Sequence, residues 1–344
     1  MGSAPPFRIL LIRTSALGDI VHALPVLATL RRAQPDATVA WVVEDSFAPL
    51  LSDHPDIDRL IVARTRAWRR RPLSKDTLFD VLRFRRELDD FGADVALDLM
   101  GNHKSAAIAA ASMADRRVGF SWSARREPSS AVWLSETVEP KGTHAVDRGL
   151  SLLPALGLPV DRPASFDGDR LLPAARTSTS EAYAAILPGA GWENKRYPAE
   201  WWGEVAALLA EAGGPPARVF PGPGEEALAQ ETVAASRGHA RLMPADGLAA
   251  LAGSLRGAAI ALGGDTGPIH LAHALGTPVL CLMGPTDPTR TGPYERPDSA
   301  LWHRLPCSFC HQRLDEPKAC LLELPPAEIA RRALRILTGA SSAS

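Results

Sequence analysis

Short apolar runs alternate with longer amphipathic stretches along most of the chain. The run Ile9-Leu10-Leu11-Ile12 comes first, an amphipathic stretch over 21–34 follows, and a second apolar run begins near Thr38. Short apolar runs are typical of strands buried on both faces of a parallel sheet, and amphipathic stretches are typical of the helices that cover such a sheet. The pattern therefore predicts an α/β protein, in which each half of the chain forms a Rossmann-like, doubly wound parallel sheet.

The same pattern gives bounds for the individual elements. Strands are predicted at 8–13, 38–43, 59–63, 94–98, 116–119 and 131–134 in the first half, and at 183–187, 217–220, 258–262 and 278–283 in the second. Helices are predicted at 21–34, 77–91, 104–113, 144–156, 198–212, 224–236, 270–275 and 325–337.

A stretch without periodicity separates the two halves. Residues 157–180 are rich in Pro, Asp, Gly, Ser and Thr, a composition typical of linkers. With 344 residues the chain is long enough for two domains that each bury a core. We predict the boundary between them at residue 170, and we expect the Ser- and Ala-rich tail over 339–344 to be disordered.

Charge and cysteine content narrow the class of protein. The formal net charge is −1, so the overall charge does not favour nucleic acid as a partner, and an anionic ligand has to be met by a local basic patch. Four cysteines and the absence of a leading signal segment suit a reducing compartment. The most apolar long window, 249–262, is interrupted by Arg256 and is too short to span a membrane. We therefore expect a cytoplasmic protein.

Three loops that follow predicted strands carry unusual residues. The segment Gly263-Gly264-Asp265-Thr266-Gly267-Pro268-Ile269-His270 has the pattern of a strand end, a tight turn and a helix start. The N–H groups of a first helical turn and the positive end of its dipole suit an anion such as phosphate. The Gly-x-Gly-x-x-Gly spacing of nicotinamide dehydrogenases and the Gly-Lys-Ser/Thr of P-loops are both absent. The other two loops are 13–22, which contains Asp19, and 188–198, which contains Lys195.

Together these motifs resemble the bacterial ADP-heptose:lipopolysaccharide heptosyltransferases, which are glycosyltransferases of family 9. The similar segments begin with Arg8-Ile-Leu-Leu-Ile-Arg-Thr-Ser-Ala-Leu-Gly-Asp-Ile-Val-His-Ala-Leu-Pro and end with Gly284-Pro-Thr-Asp-Pro, so that they span most of residues 8–335. Within the family, residues 41–48, 101–107 and 126–128 are most similar to the heptosyltransferase I branch.

The resemblance implies a GT-B architecture, with two facing Rossmann-like domains and a cleft between them. The expected domains are an acceptor-binding domain over 1–170 and a donor-binding domain over 171–324, followed by a C-terminal helix over 325–338. The implied activity is inverting transfer of a heptose from ADP-L-glycero-D-manno-heptose to a Kdo-lipid A or lipopolysaccharide inner-core acceptor. No cofactor is required for it, and a divalent cation is compatible with the motifs without being implied by them.

Such a transfer needs a base for the acceptor hydroxyl and groups that stabilise the departing diphosphate. The family motif places the catalytic carboxylate at Asp19, for which the alternative role is to cap the helix that begins near Ile20. Lys195, with the backbone N–H groups around Gly191, Thr266 and Gly267, is expected to bind the donor diphosphate.

Three other residues of the donor site have ambiguous roles. Asp265 would be repelled by phosphate unless it accepts from a sugar hydroxyl, orders the turn or holds a divalent ion, and we favour the sugar contact. His270 either donates to phosphate or is a core histidine. Glu225 resembles the ribose-binding acid of the family and is equally typical of an acidic residue in a first helical turn.

Basic residues of the first half are expected to bind the anionic acceptor. Several arginines cluster around Trp68, and guanidinium groups bind carboxylates and phosphates in a bidentate manner. The alternative for any one of them is a solvated surface position. The same cations would draw the protein to the inner face of the cytoplasmic membrane, as a peripheral protein. The residues expected to contact the acceptor are Arg64, Arg69, Lys104, Arg126 and Arg148.

The cysteines depart from the heptosyltransferase I pattern. Cys307, Cys310 and Cys320 have the spacing C-x₂-C-x₉-C, which is similar to a cluster in other family members, some of which bind iron. A tetrahedral site would need a fourth ligand, from His303, His311 or the distant Cys281. We favour ordinary reduced thiols and predict no metal site. Two alternative functions stay open: a related heptosyltransferase with a heptosylated or other acceptor, and a GT-B sugar-nucleotide epimerase, which would leave the arginine-rich half unexplained.

Overall fold

The computed structural model describes residues 7–160, 162–171, 181–316 and 319–339. The chain divides into two compact units, Met1–Pro173 and Ala174–Ser344, which we call the N-terminal and the C-terminal unit. The predicted disordered tail lies outside the described residues except for Gly339, and so do residue 161 and residues 172–180 of the predicted linker. Among the described residues, no helix combines the length and apolarity that a membrane span needs.

The N-terminal unit is built on a six-stranded sheet with the order β3-β2-β1-β4-β5-β6. Its strand pairings are parallel, and Leu11 of the central strand β1 is paired with Trp41 of β2 and Leu97 of β4. The strands are β1 Arg8–Ile12, β2 Thr38–Glu44, β3 Arg59–Ala63, β4 Val95–Asp98, β5 Arg116–Phe120 and β6 Glu136–Val138. The helices are α1 Leu17–Ala33, α2 Ala48–Leu51, α3 Thr65–Arg70, α4 Lys75–Phe91, α5 His103–Ala111 and α6 Ala145–Leu150.

The C-terminal unit repeats the same arrangement, with the order β12-β11-β10-β7-β8-β9. Leu262 of β10 is paired in parallel with Leu280 of β11 and Ile186 of β7. The strands are β7 Ala184–Leu187, β8 Ala217–Val219, β9 Ala240–Leu242, β10 Ile260–Gly264, β11 Val279–Leu282 and β12 Ala300–Leu301. The helices are α7 Ala199–Glu211, α8 Glu226–Ala235, α9 Leu248–Gly257, α10 Gly267–Ala274, α11 Pro288–Thr291, α12 Ala319–Leu322 and α13 Pro326–Thr338.

These two sheets confirm the predicted fold class, since each has the strand order of a doubly wound Rossmann-like sheet. The apolar runs form the strands because both faces of each sheet are covered. Residues 9–12 of β1 are fully buried, as are the paired residues of β2 and β4. The final helix α13 buries Ile329 and Ala333 against the core of the C-terminal unit, as its periodicity predicts.

Two of the predicted elements are wrong. Most of the predicted strand over 131–134 lies instead in a 3₁₀ helix, Pro128–Trp133. The side chain of Ser130 accepts a hydrogen bond from Arg125 there and stabilises the turn. The strand β6 begins only after this helix, at Glu136. The predicted helix over 144–156 is divided into α6 and the 3₁₀ helix Leu153–Leu156, because Pro154 has no N–H with which to continue α6. The pattern also missed α2, α3, α9, α11, α12, β9 and β12, all of which except α9 are too short for a clear period.

Candidate active site

Each sheet has a point where the strand order reverses, between β1 and β4 in the N-terminal unit and between β7 and β10 in the C-terminal unit. In doubly wound folds, ligands bind beyond the carboxyl ends of the strands at this point. The loops that follow these strands are 13–16 and 99–102 in the first unit, and 188–198 and 265–266 in the second. They include the loops that carry the motifs at Asp19, Lys195 and Asp265.

In the N-terminal unit, these loops and the start of α3 line a cavity of about 710 Å³. Most of its charged side chains are cationic. The cavity is lined by the predicted base, Asp19, and by three of the residues predicted to bind the acceptor, Arg69, Lys104 and Arg126. Two arginines that were not predicted, Arg13 and Arg66, also line it.

Asp19 has two roles in this structure. Helix α1 begins at Leu17, one turn earlier than predicted, so Asp19 lies in its first turn rather than at its N-cap. One carboxylate oxygen, Oδ2, accepts from the N–H of Ala16 at 3.2 Å, and the other, Oδ1, lies 2.6 Å from Nη2 of Arg13. The side chain is still 43% exposed. Asp19 therefore stabilises the start of α1 and also presents a carboxylate to the cavity.

Buried Glu44, at the end of β2, organises the cationic side of the cavity. Its oxygens accept from Oγ1 of Thr65 at 2.6 Å and from the N–H of Arg66 at 2.9 Å, and they lie 3.9 Å from Nζ of Lys104. Burial lowers the pKa of Lys104, the charges of Arg66 and Arg69 lower it further, and Glu44 opposes them. An anion bound here would relieve the repulsion among these cations.

The ion pair between Asp98 and Arg125 supports the other side of the cavity. Nη2 of Arg125 lies 2.5 Å from Oδ2 of Asp98, and both side chains are fully buried. Oδ1 of Asp98 accepts from the N–H groups of Met100 and Gly101, at 3.0 and 3.1 Å. The pair therefore joins the loop after β4 to the segment that carries Arg126.

Two of the arginines predicted to bind the acceptor do not line this cavity. Nη1 of Arg64 lies 3.3 Å from the carboxylate of Asp80 on α4. Arg148 donates to the carbonyl of Ala124 at 2.8 Å, and its guanidinium lies 5.4 Å from the centre of the Phe120 ring. Charge alone did not distinguish these two from Arg69 and Arg126.

The sequence pattern did not single out Arg13, Glu44 or Arg66 as site residues. Glu44 had a usable signal, because it is an acidic residue that ends an apolar strand at the edge of the sheet where ligands bind. Arg13 follows β1 in the same way. For Arg66 the signal was only its place in a run of arginines.

In the C-terminal unit, Lys195, Asp265 and His270 form one cluster at the end of β10. Nζ of Lys195 lies 2.7 Å from Oδ2 of Asp265, and Nε2 of His270 lies 2.9 Å from Oδ1. Burial raises the pKa of Asp265, but the hydrogen bond and charge of His270 and the charge of Lys195 outweigh it and hold the pKa well below its usual range. These contacts, within the C-terminal unit itself, show how the charge of Asp265 is tolerated although its side chain is buried.

The turn itself opens helix α10. Thr266 is the N-cap residue, and Gly267 and Pro268 are the first two residues of the helix. Oγ1 of Thr266 is buried and accepts no hydrogen bond from the described residues. The first intrahelical donor is the N–H of His270, which bonds to the carbonyl of Thr266. The N–H of Gly267 thus lies in a first turn, where an anion is stabilised.

Glu225 ties the loop after β8 to the loop after β7. Its Oε2 accepts from the N–H of Gly222 at 2.9 Å. Its carboxylate also lies so close to Gly189 that a Cβ added there would overlap it. In contrast, a Cβ added at Gly191 would meet no atom within 4 Å, so the backbone of Gly191 borders open space. Glu225 precedes α8 and holds a defined position beside the glycine loop.

The cysteines are distributed between surface and core. Cys307 and Cys310 are exposed, whereas Cys281 and Cys320 are buried. Burial raises the pKa of the Cys320 thiol, and the proximity of Cys307 and Cys310 raises it further. In the part of the chain that the structure describes, no group of three or more His, Cys, Asp or Glu side chains is arranged to hold a metal ion.

Comparison with known proteins agrees with this geometry. Residues 81–320 match the sequence model of glycosyltransferase family 9 (heptosyltransferase). Lipopolysaccharide heptosyltransferase 1 of Pseudomonas aeruginosa is 32% identical over 305 residues, covering 88% of this chain and 86% of that protein. The structure of the E. coli heptosyltransferase WaaC with ADP matches with a TM-score of 0.79 and 29% identity, covering 88% of this chain and 94% of that one.

A second WaaC structure, with ADP-2-deoxy-2-fluoro heptose, also has a TM-score of 0.79, at 26% identity, and covers 94% of this chain and 98% of that one. The match to the family extends over both units, and the identity to the Pseudomonas protein holds over most of the chain. The chain therefore belongs to glycosyltransferase family 9, the heptosyltransferases, and is a glycosyltransferase.

Proposed function

We propose that the chain transfers a heptose, with inversion, from ADP-L-glycero-D-manno-heptose to a Kdo-lipid A or lipopolysaccharide inner-core acceptor. The observation that carries this proposal is the carboxylate of Asp19 on a cavity that is also lined by five cationic side chains, those of Arg13, Arg66, Arg69, Lys104 and Arg126. Such a cavity suits an anionic sugar as substrate, with one hydroxyl of the sugar placed beside Asp19. The names of the relatives, and the ligands of the WaaC structures, support the same donor and acceptor classes.

In the proposed reaction, Asp19 takes the proton of the acceptor hydroxyl as its oxygen attacks the anomeric carbon of the heptose. The bond between that carbon and the diphosphate oxygen breaks, and ADP leaves with the electron pair. The attack on the opposite face inverts the anomeric centre. The ion pair with Arg13 and the hydrogen bond from Ala16 fix the position of the carboxylate, which general base catalysis requires.

The C-terminal unit supplies the groups that stabilise the departing ADP. Lys195 and the N–H of Gly267 at the start of α10 are the donors to the diphosphate. Asp265 holds Lys195 in place, and His270 holds the other oxygen of Asp265, and these are the roles we now assign to both instead of a sugar or phosphate contact. Glu225 accepts from the ribose hydroxyls, and the open backbone of Gly191 admits the diphosphate.

The acceptor is a lipid-linked anion, so we propose that the chain works peripherally at the inner face of the cytoplasmic membrane. Lys104, Arg69 and Arg126 contact its carboxylates and phosphates. Arg64 and Arg148 are not part of this proposal, because their guanidinium groups are engaged elsewhere.

The test is release of ADP from ADP-heptose with and without acceptor. We expect release that depends on Kdo-lipid A and a product heavier by one heptose in mass spectrometry. Transfer only to an already heptosylated core would identify the related heptosyltransferase instead. Conversion of the donor without any acceptor would support the epimerase alternative and overturn the proposal.

A further inference from the structure

Helix α4 exposes apolar side chains along its first half. Leu78, Phe79 and Leu82 are 58%, 69% and 54% exposed, and Leu73, just before the helix, is 98% exposed. The second half packs normally, since Phe84, Leu88 and Phe91 are buried in the core of the N-terminal unit. An amphipathic helix of a globular protein usually turns only polar side chains away from the core.

The exposed residues share one side of the helix. At 100° per residue, Leu78, Phe79 and Leu82 lie opposite the side that carries Phe84, Leu88 and Phe91. Lys75 and Arg86 fall among them on the same side, and so does Asp89 near the C-terminal end of the helix, where it forms an ion pair with Arg85. We call the residues Leu73, Lys75, Leu78, Phe79, Leu82 and Arg86 the α4 outer face. A clustered exposed apolar surface of this kind marks a site of interaction.

The charges around the α4 outer face are strongly unbalanced. Residues 64–86, which lead into α4 and form its first three turns, contain nine arginines and lysines and only two aspartates, and the acids Glu87, Asp89 and Asp90 follow in the last part of the helix. One of the two aspartates, Asp80, already forms ion pairs with Arg64 and Arg83. An apolar ridge within a cationic segment is complementary to a surface that has anionic groups above an apolar layer, and an anionic phospholipid bilayer has this structure.

We propose that the α4 outer face docks on an anionic bilayer, with Leu73, Leu78, Phe79 and Leu82 inserted below the headgroups. The side chains of Arg70, Arg71 and Lys75 contact the lipid phosphates. The preceding helix α3 carries Arg66 and Arg69 into the cavity, so docking brings the cavity opening toward lipid-linked sugars. The inference deepens the peripheral membrane association of the proposed function by naming the surface that docks, and its binding step does not depend on the transfer reaction.

The test uses vesicles that contain neither donor nor acceptor. The full chain is sedimented with phosphatidylglycerol-containing vesicles and with phosphatidylcholine vesicles. We expect binding to the anionic vesicles that salt weakens, and at least about tenfold weaker binding for the triple variant Leu78→Gln, Phe79→Gln, Leu82→Gln. Glutamine keeps a high helix propensity, so the helix is retained. The matched control, Met113→Gln with Val132→Gln, removes two exposed apolar side chains outside the basic segment and should bind as the wild type does.

Three outcomes would overturn the inference. They are no binding of the wild type to anionic vesicles, equal binding of the triple variant, and a wild-type dimer in sedimentation velocity that the triple variant abolishes, because a second copy would then cover this face. Transfer assays separate this inference from the proposed function. The triple variant should transfer heptose normally to a delipidated, soluble acceptor and more slowly to a vesicle-embedded one. If the wild type transferred no heptose to either acceptor, the proposed function would be refuted, whereas the vesicle-binding result would be unaffected.

Discussion

The carboxylate of Asp98 and the guanidinium of Arg125 lie 2.5 Å apart, closed to solvent, beneath two of the loops that line the cavity. Neither residue reaches the cavity itself. A buried ion pair of this kind contributes little over an apolar pair, but breaking it leaves an uncompensated charge in the core.

We therefore expect Arg125→Met to lower the free energy of unfolding by about 3–5 kcal/mol, measured by urea denaturation. The double variant Asp98→Asn, Arg125→Met should recover most of the loss, because the amide oxygen introduced by the first substitution still accepts from the loop N–H groups without carrying a charge. A loss below about 1 kcal/mol for Arg125→Met would show that the pair does not support these loops.

Asp19 permits a separation of catalysis from helix capping. The substitution Asp19→Asn keeps an oxygen that accepts from the N–H of Ala16 but removes the proton acceptor. We expect kcat for acceptor-dependent ADP release to fall about 10²–10⁴-fold, with the melting temperature nearly unchanged.

The matched control is Asp36→Asn, an exposed acid of the same unit, which should keep full activity. If Asp19→Asn kept full activity and Asp19→Ala had a lower melting temperature, Asp19 would act only in stabilising the start of α1 and not as the catalytic base.

Gly189 controls the position of Glu225. The substitution Gly189→Ala places a Cβ where the Glu225 carboxylate lies, and this flexible side chain can move away without disturbing the core. We expect about tenfold weaker binding of ADP in calorimetry, with unchanged stability.

A double-mutant cycle supplies the control for this prediction. In a Glu225→Ala background, Gly189→Ala should have no further effect on ADP affinity, because the overlapping group is gone. Additive effects of the two substitutions would mean that Gly189 acts by another route.

The low pKa of Asp265 in the folded protein predicts how the free energy of unfolding depends on pH. Its pKa is lower in the folded protein than in the unfolded chain, where a carboxyl titrates near its usual value of about 4. Its stabilising contribution is therefore complete above that unfolded pKa, and it declines as the pH falls below it toward the folded pKa.

The variant Asp265→Asn should be less stable than the wild type at pH 7, by about 2 kcal/mol, since Lys195 and His270 lose a charged acceptor. This difference should shrink as the pH is lowered from 5 to 2, measured by denaturant titration at each pH. A difference that stays constant over that range would contradict the assigned contacts.

Much of the fold follows from local patterns in the sequence. The run over 9–12 is apolar throughout because β1 is covered on both faces, and the repeat of such runs in each half predicts two parallel doubly wound sheets. The strand, turn and helix around Gly263–His270 could be predicted because glycine, a cap residue and proline mark such a junction locally. At 131–134 the local pattern misled, because the 3₁₀ helix there is hydrogen-bonded by Arg125, whose position is set by its ion pair with Asp98, 27 positions away.

What the tertiary structure decided is which charges meet. The sequence offered nine cations in residues 64–86, but only the folded unit brings Arg66 and Arg69 to Asp19 and Lys104, and sends Arg64 to Asp80. Asp265 is neutralised by Lys195, 70 positions away along the chain. Periodicity reports whether a residue is buried, because burial depends on its own face of a helix or strand. Periodicity does not predict which other residues a side chain contacts, because those contacts depend on the order of the strands in the sheet and on loops that are far apart in sequence.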